Sequence, residues 1–451
     1  MTSRQHQLQS HRYAARRLVE ALVSRQADPA RPARRTAPAT LAGVLVAVLG
    51  FGGAAAYGAV TGSVATDWRD SRVVIVERES GARYVYRAGR LHPVRNYSSA
   101  LLIAGTAPPR TVLVRQAALR GVERGSPLGI PDAPDSLPRP EDLTGPEWTV
   151  CSSVADQGES AAPSMSVLLG VGSSGGRPLG DDALLTRLPD GAVQLIWRGR
   201  RHAVTEPELV LAALGWTRHR PLPVAPAVVR ALPAGADLGR LTVPGAGQPS
   251  RTIPDTTVGE VFLVVTQSGL RQYAVAYRDG LAGITQVQAD LLLTAHDQAG
   301  PTRLTQGRFS GLPRVDELIP DGPQAPPAET PALRSAATGT VCVGGAGIQS
   351  PLRVAVDPDA PATGVRLPPG GGALVEAVRR DEAVRRDEAV RPDGDTPQVS
   401  LITDAGLRHP VPDPAVLPTL GYPGAARSRL PAEVVELVPA GPDLDRRLAL
   451  G

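Results

Sequence analysis

"LRHPVPDPAVLPTLGY" (Leu407–Tyr422) has a near-copy in "RRHAVTEPELVLAALGW" (Arg200–Trp216) and a third version in "RLHPVRNYSSALLIAG" (Arg90–Gly105). Repetition at such distances in one chain is the mark of a repeated structural unit. Each copy follows a hairpin pattern. "ESGARYVYRAGRLHPV" (Glu79–Val94) reads strand, turn at Gly89, strand, and "DGAVQLIWRGRRHAV" (Asp190–Val204) does the same around Gly199. "QSGLRQYAVAYRDGLAGI" (Gln267–Ile284) turns at Asp279–Gly280, and "DAGLRHPV" (Asp404–Val411) supplies a fourth member.

A short helix is expected after each hairpin: "YSSALLIAG", "EPELVLAALGW", "VQADLLLT" and "DPAVLPTLGY". Pro207 and Pro414 suit early helical positions, and Gly215 and Gly421 suit the residue after a helix. A second phrase then recurs, as "VAPAVVRALPAGADL" (Val224–Leu238) and "LPAEVVELVPAGPDL" (Leu430–Leu444). The reading is an α+β fold. Four units, each too small to bury its own apolar face, stack about a shared centre.

Upstream, "LAGVLVAVLGFGGAAAYGAV" (Leu41–Val60) holds no charge and no Pro, as a bilayer-spanning helix requires. Gly50, Ala54 and Gly58 recur every fourth residue on one face, a spacing that lets spanning helices approach closely, in a segment where Gly and Ala are abundant anyway. Residues 1–40 carry eight Arg against Glu20 and Asp28, a formal +6 that leaves −2 for the rest of a +4 chain. Their "QLQSHRYAARRLVEALVSRQADP" patterns as an amphipathic helix, with Arg12, Arg16 and Arg17 placed to meet a membrane surface or a partner. The Arg bias orients the N-terminus to the cytoplasm and everything past the span to the outside. The expected organisation is a cytoplasmic tail (1–40), a span (41–60), a linker (61–78) and an extracytoplasmic repeat domain (79–451). A charged tandem hexamer, "EAVRRDEAVRRDEAVRPD" (376–393), interrupts that domain as an exposed insertion.

The two cysteines, Cys151 and Cys342, read as a disulfide in an oxidising exterior, with two buried thiols as the other possibility. No CxxC or His cluster accompanies them, so they do not suggest a metal site.

Composition also excludes chemistry. All 48 basic residues are Arg, so a P-loop, which needs Lys, is ruled out. "GSSGG" (Gly172–Gly176) matches G-x-S-x-G in letters, but it reads as a Gly/Ser-rich loop with no helix pattern directly after it. His92, His202 and His409 occupy equivalent places in the repeat, which suggests a structural hydrogen bond. Arg can bind phosphate bidentately, and "RGRRH" (Arg198–His202) is the best local cluster for it, but at a repeat hairpin it reads first as solvated charge protecting a strand edge.

Gln7, Ser10, Tyr13, Arg16 and Arg17, spaced Q-x-x-S-x-x-Y-x-x-R-R ahead of one span, resemble the EccB family of type VII (ESX-type) secretion. "GRLHPVRNYSSALLI", "GIPDAP" (Gly129–Pro134), "WTVC" (Trp148–Cys151), "VCV" around Cys342 and "VPAGPDL" extend the resemblance over nearly the whole chain. The hexamer insertion, "SRQADP" in place of a more basic run and the Gly-rich span depart from the family pattern. The resemblance implies a single-pass plasma-membrane protein whose outer domain has four repeats around a central part in a distorted propeller-like arrangement. It also implies a disulfide across the centre. Implied partners are an EccC-type ATPase, EccD, EccE, a mycosin protease and further copies of the chain. Family members are also described as ATPases, so ATP enters only through that attribution, and no cofactor, catalytic or metal residue is otherwise expected. A cell-wall-binding module is the remaining alternative, although aromatics, at 3%, are scarce for it.

Overall fold

A computed structural model describes residues 14–15, 18–19, 68–154, 162–316, 318, 322–361, 363–379 and 398–451. The chain divides into Met1–Trp68 and Arg69–Gly451. In the first unit Ala14, Ala15, Leu18 and Val19 are helical and exposed. No helix among the described residues is long and apolar enough to cross a membrane. Leu41–Val60 lies outside the described residues.

The second unit is α+β. Its described residues form four four-stranded sheets with one internal order, third–second–first–fourth strand, and a six-stranded sheet. Repeat I uses Val74–Glu77, Arg83–Arg87, Arg90–Pro93 and Thr111–Val114, and repeat II uses Ala183–Arg187, Val193–Trp197, Arg200–Val204 and Leu222–Pro223. Repeat III uses Val261–Val265, Arg271–Ala276, Leu281–Ile284 and Thr302–Leu304. Repeat IV uses Gly372–Val378, Val399–Thr403, Arg408–Val411 and Ser428–Pro431. In each, the first three strands are antiparallel and the fourth returns parallel to the first, as in Val74↔Val85 and Val74↔Thr111. The parallel return needs a crossover, and the helix after the third strand provides it.

Local chemistry explains these units. Ala88–Gly89 and Arg198–Gly199 both have positive φ at two consecutive residues, the tight hairpin turn whose twist matches the strands it joins. The crossover helix Tyr97–Ala104 is capped by Asn96, whose side chain accepts from the Ser99 amide. Gln286–Ala295 starts with a reciprocal Thr285/Gln288 capping box. Pro207 begins Pro207–Ala213. In repeat IV, where a helix is expected after "HPV", only the one-turn Pro414–Val416 forms. Pro418 lacks the amide that a longer helix would use there.

The six-stranded sheet runs Gly364–Arg366, Ser164–Leu169, Glu147–Ser153, Thr340–Ala346, Arg353–Asp359, Ser174–Pro178. Its core residues Trp148, Val150, Val341 and Val343 pack with Leu184 and Ile196 of repeat II and with Val375, Ile402 and Val434 of repeat IV. A second cluster joins repeats I and IV through Val85, Leu102, Leu374 and Leu401. A third joins Val210 of repeat II to Val287 and Leu291 of repeat III. The apolar cores therefore link III to II, II to the centre, the centre to IV, and IV to I. No core cluster joins I to III among the described residues, so the propeller-like expectation is not met as a closed ring.

Two boundaries differ from the sequence reading. Val74–Glu77, inside the stretch expected to be linker, is the first strand of repeat I, because Val74 and Ile75 are fully buried. Glu376–Val378, expected to open the hexamer insertion, instead completes Gly372–Val378, since Val378 is buried. The insertion leaves from a hairpin position, because the Ala377 amide donates to the Gln398 carbonyl across its base. Residues 380–397 lie outside the described set.

Candidate functional site

The centre of the molecule is a crossed seam. Cys151 and Cys342 sit directly opposite one another on neighbouring antiparallel strands and form a disulfide, 191 residues apart in sequence. Both are buried, beside Leu168. Chain entropy assigns about 5 kcal/mol to closing a loop of that length. Repeat II is pinned to the same seam by the Ala225 amide, which donates to Ser152 Oγ at 2.9 Å. Trp148 Nε1 ties the other end to the Gly347 carbonyl at 3.0 Å.

The joints inside the repeats carry the three equivalent histidines. After its last helix each repeat sends a return segment along the outer edge of its third strand. Amides of Gly125, Gly235, Val315 and Gly441 donate to the carbonyls of Leu91, Arg201, Leu281 and Arg408. In three repeats a histidine clamps this segment. Nδ1 of His92, His202 and His409 lies 2.9, 2.8 and 3.2 Å from the carbonyls of Ser126, Ala236 and Pro442. A carbonyl only accepts, so Nδ1 carries the proton in all three. The ring lies where a side chain on the return segment would project: a Cβ at Gly125, Gly235 or Gly441 would fall 2.2, 2.2 and 2.5 Å from the ring's Cε1. Burial holds the pKa of His202 below its ordinary value, opposed by the Ala236 carbonyl and aided by Arg200. Burial likewise lowers His409, opposed by the Pro442 carbonyl.

The basic cluster at Arg198–His202 is built into the hairpin. Arg198 bonds Asp181 at 2.8 Å and lies 4.7 Å from the Trp197 ring centroid. Arg200 Nη1 donates to the Ala234 carbonyl at 3.1 Å, and Arg201 Nε to the Leu232 carbonyl at 3.2 Å. "GSSGG" does not stay in a loop: Ser174–Pro178 is the exposed edge strand of the central sheet. A nucleophile elbow joins a strand to a helix, and none forms here. Gly50, Ala54, Gly58, Arg12, Arg16 and Arg17 lie outside the described residues. Among the described residues no three His, Cys, Asp or Glu side chains gather as metal ligands would.

Two clefts open on either side of the Arg198–Gly199 turn. One, about 570 Å³, lies over glycines of the central sheet, including Gly175, Gly344 and Gly345. The other, about 1240 Å³, lies between repeats II and IV. Sequence reading missed both, because their walls come from segments more than 100 residues apart.

A family model described as "Type VII secretion system ESX-1, transport TM domain B" matches residues 1–451. The chain belongs to this family. It is 27% identical to the ESX-3 secretion system ATPase EccB3 of Mycolicibacterium smegmatis, over 99% of this chain and 90% of that one. It is 30% identical to the ESX-2 secretion system ATPase EccB2 of Mycobacterium tuberculosis, over 68% of this chain and 63% of the relative. That match thus spans less than two thirds of the relative's length. Among solved structures, a chain of an intact ESX-5 inner membrane complex superposes with a TM-score of 0.67 at 26% identity, covering 99% of this chain and 94% of that one. The EccB3 dimer from the ESX-3 core complex superposes with a TM-score of 0.66 at 25% identity, covering 84% and 100%.

Proposed function

We propose that this chain is a structural subunit of a type VII secretion membrane complex. It scaffolds the complex on the outer side of the membrane, in the company of an EccC-type ATPase, EccD, EccE, a mycosin protease and further copies of itself. The observation that carries this reading is likeness over 99% of the chain to a component of an assembled ESX-5 inner membrane complex. The buried seam and the shared cores support it, since a rigid, cross-linked outer domain suits a platform. In this reading Leu41–Val60 crosses the plasma membrane, with Gly50, Ala54 and Gly58 packing in the bilayer, and the basic tail around Arg12, Arg16 and Arg17 meets partners in the cytoplasm. The test is detergent extraction of a tagged chain and identification of what co-purifies. Recovery of the chain alone would overturn the proposal. Deleting residues 1–24 should preserve membrane insertion and abolish complex assembly.

An enzyme reading is favoured by one finding, the word ATPase in the relatives' names. Against it, the chain has no Lys, so it has no P-loop to hold a triphosphate. Purified chain should show no turnover that the triple variant Arg198→Ala/Arg200→Ala/Arg201→Ala removes. Robust hydrolysis lost in that variant, with its fold intact, would install the enzyme reading.

A further inference from the structure

We propose that the cleft between repeats II and IV binds an anion carrying two or more phosphate groups. Four arginines face it: Arg200 and Arg201 from the third strand of repeat II, Arg230 from the end of its second helix, and Arg379 from the end of the first strand of repeat IV. None of the four makes an ion pair among the described residues. Arg198 also lines the cleft but is neutralised by Asp181.

Two of these guanidiniums are held before any ligand arrives. Arg200 and Arg201 each use an N–H on a main-chain carbonyl, Ala234 and Leu232. A guanidinium has five N–H donors, so most of each fork remains free, and a planar fork matches the oxygen pair of a phosphate. Holding the fork in place removes part of the ordering cost of binding. Outside the N-terminal tail the chain carries a formal −2, so the positive charge here is local.

The opposite wall qualifies the ligand. Glu433 and Glu436 line the cleft from the helix Ala432–Val435 of repeat IV and the residue that caps its end. An anion is therefore repelled from that side and drawn to the repeat II wall. A cleft of about 1240 Å³ is much larger than one phosphate, which suits several phosphates, either in a row or together on a larger body. Both a phosphate polymer and an anionic lipid headgroup satisfy this chemistry.

This proposal goes beyond the scaffold reading and does not depend on it: a variant that loses the anion can still be tested for co-purification. The experiment uses the full chain in neutral detergent, titrated in one arm with sodium tripolyphosphate and in the other with micelles containing cardiolipin, whose headgroup carries two phosphates. The N-terminal arginines add background in both arms, so the reading is the difference between wild type and variants. A charge-assisted contact is worth about tenfold in affinity. Arg230 makes no hydrogen bond or ion pair among the described residues, and Arg230→Ala should weaken binding about tenfold. Arg200→Ala/Arg230→Ala should weaken it about 100-fold. Arg303→Ala, on the edge of repeat III, should leave it unchanged. Loss confined to the tripolyphosphate arm assigns a soluble or polymeric phosphate ligand, and loss confined to the lipid arm assigns a headgroup. Absence of binding in both arms at low salt, or binding that Arg230→Ala and the double variant leave intact, overturns the proposal.

Discussion

Repeats II and III share one backbone plan and solve one packing problem in opposite ways. In repeat II the third strand presents His202, and the return segment that runs beside it presents Gly235. In repeat III the equivalent positions hold Ala282 and Val315, with the same pair of backbone hydrogen bonds around Leu281. Bulk has moved from strand to return segment. Repeats I and IV follow repeat II, with His92/Gly125 and His409/Gly441. The backbone ladder specifies the repeat, while the gap between ladder strands is filled from either side but not from both. A ring facing a glycine also adds a hydrogen bond, which the Ala/Val pair forgoes.

The sharpest way to break this comparison is to put both bulky partners in one joint. Gly235→Val places side-chain carbon where the buried His202 ring already sits, and overpacking of this kind costs about 3 kcal/mol. The double variant His202→Ala/Gly235→Val recreates the repeat III pair and should recover most of that loss. Urea unfolding of the four members of the cycle measures the coupling, expected at about 2 kcal/mol. Additive losses would show that the two positions do not share a gap.

The reverse change is weaker. Val315→Gly leaves repeat III with neither partner, and the loss of a partly buried Val against Ala282 should cost about 2 kcal/mol. A smaller effect still is expected in repeat I. His92 is only half-buried, so its ring has solvent to swing into. Gly125→Ala should therefore cost about 1 kcal/mol, against a larger loss for the same change at Gly235. Equal losses at the two sites would contradict the role given to burial.

How far the sequence carried the argument depends on which atoms make the contact. The hairpins and the four-fold repetition were legible, because turn glycines and apolar strands leave letters behind. The histidines were legible as a set, since they share a position. Their acceptors were not, because Ser126, Ala236 and Pro442 contribute only a carbonyl, which any residue has. The signal that could have found the joint was the exchange of Ala282 for His together with Val315 for Gly, visible on aligning the third strands. The strand Ser174–Pro178, which takes in the end of "GSSGG", is not legible in the letters, because a Gly/Ser-rich strand has no propensity of its own and is held by pairing with Arg353–Asp359, far along the chain. The first strand of repeat I was hidden by the apolar stretch Leu41–Val60 upstream of it, after which residues 61–78 read as linker. The cysteines were legible as a pair, but not as opposite residues at the centre of a sheet whose two inner strands lie 191 residues apart.

The smallest expected effect is a proton's. His202 and His409 are neutral and buried, and burial lowers both pKa values from the ordinary 6.5. The unfolded chain therefore binds protons at these sites before the folded one does. The stability each contributes is complete above pH 6.5 and is lost as the pH falls from there through the lowered folded value. At His202 the cost has a visible cause: Nδ1–H already donates to Ala236, and Nε2 is buried without a partner, so a second ring proton has no acceptor. Arg200 adds repulsion, which Asp237 partly offsets. Between pH 7.5 and 6.0 one such ring removes at most about 0.8 kcal/mol. Repeat III, with Ala282, removes none. The measurement is urea unfolding at the two pH values for wild type and for His202→Ala/Gly235→Val. The variant starts less stable, but its pH difference should shrink by the share of one ring. An unchanged difference would mean that the ring opens to solvent before it titrates, and the likeness drawn between the joints of repeats II and IV would then rest on shape alone.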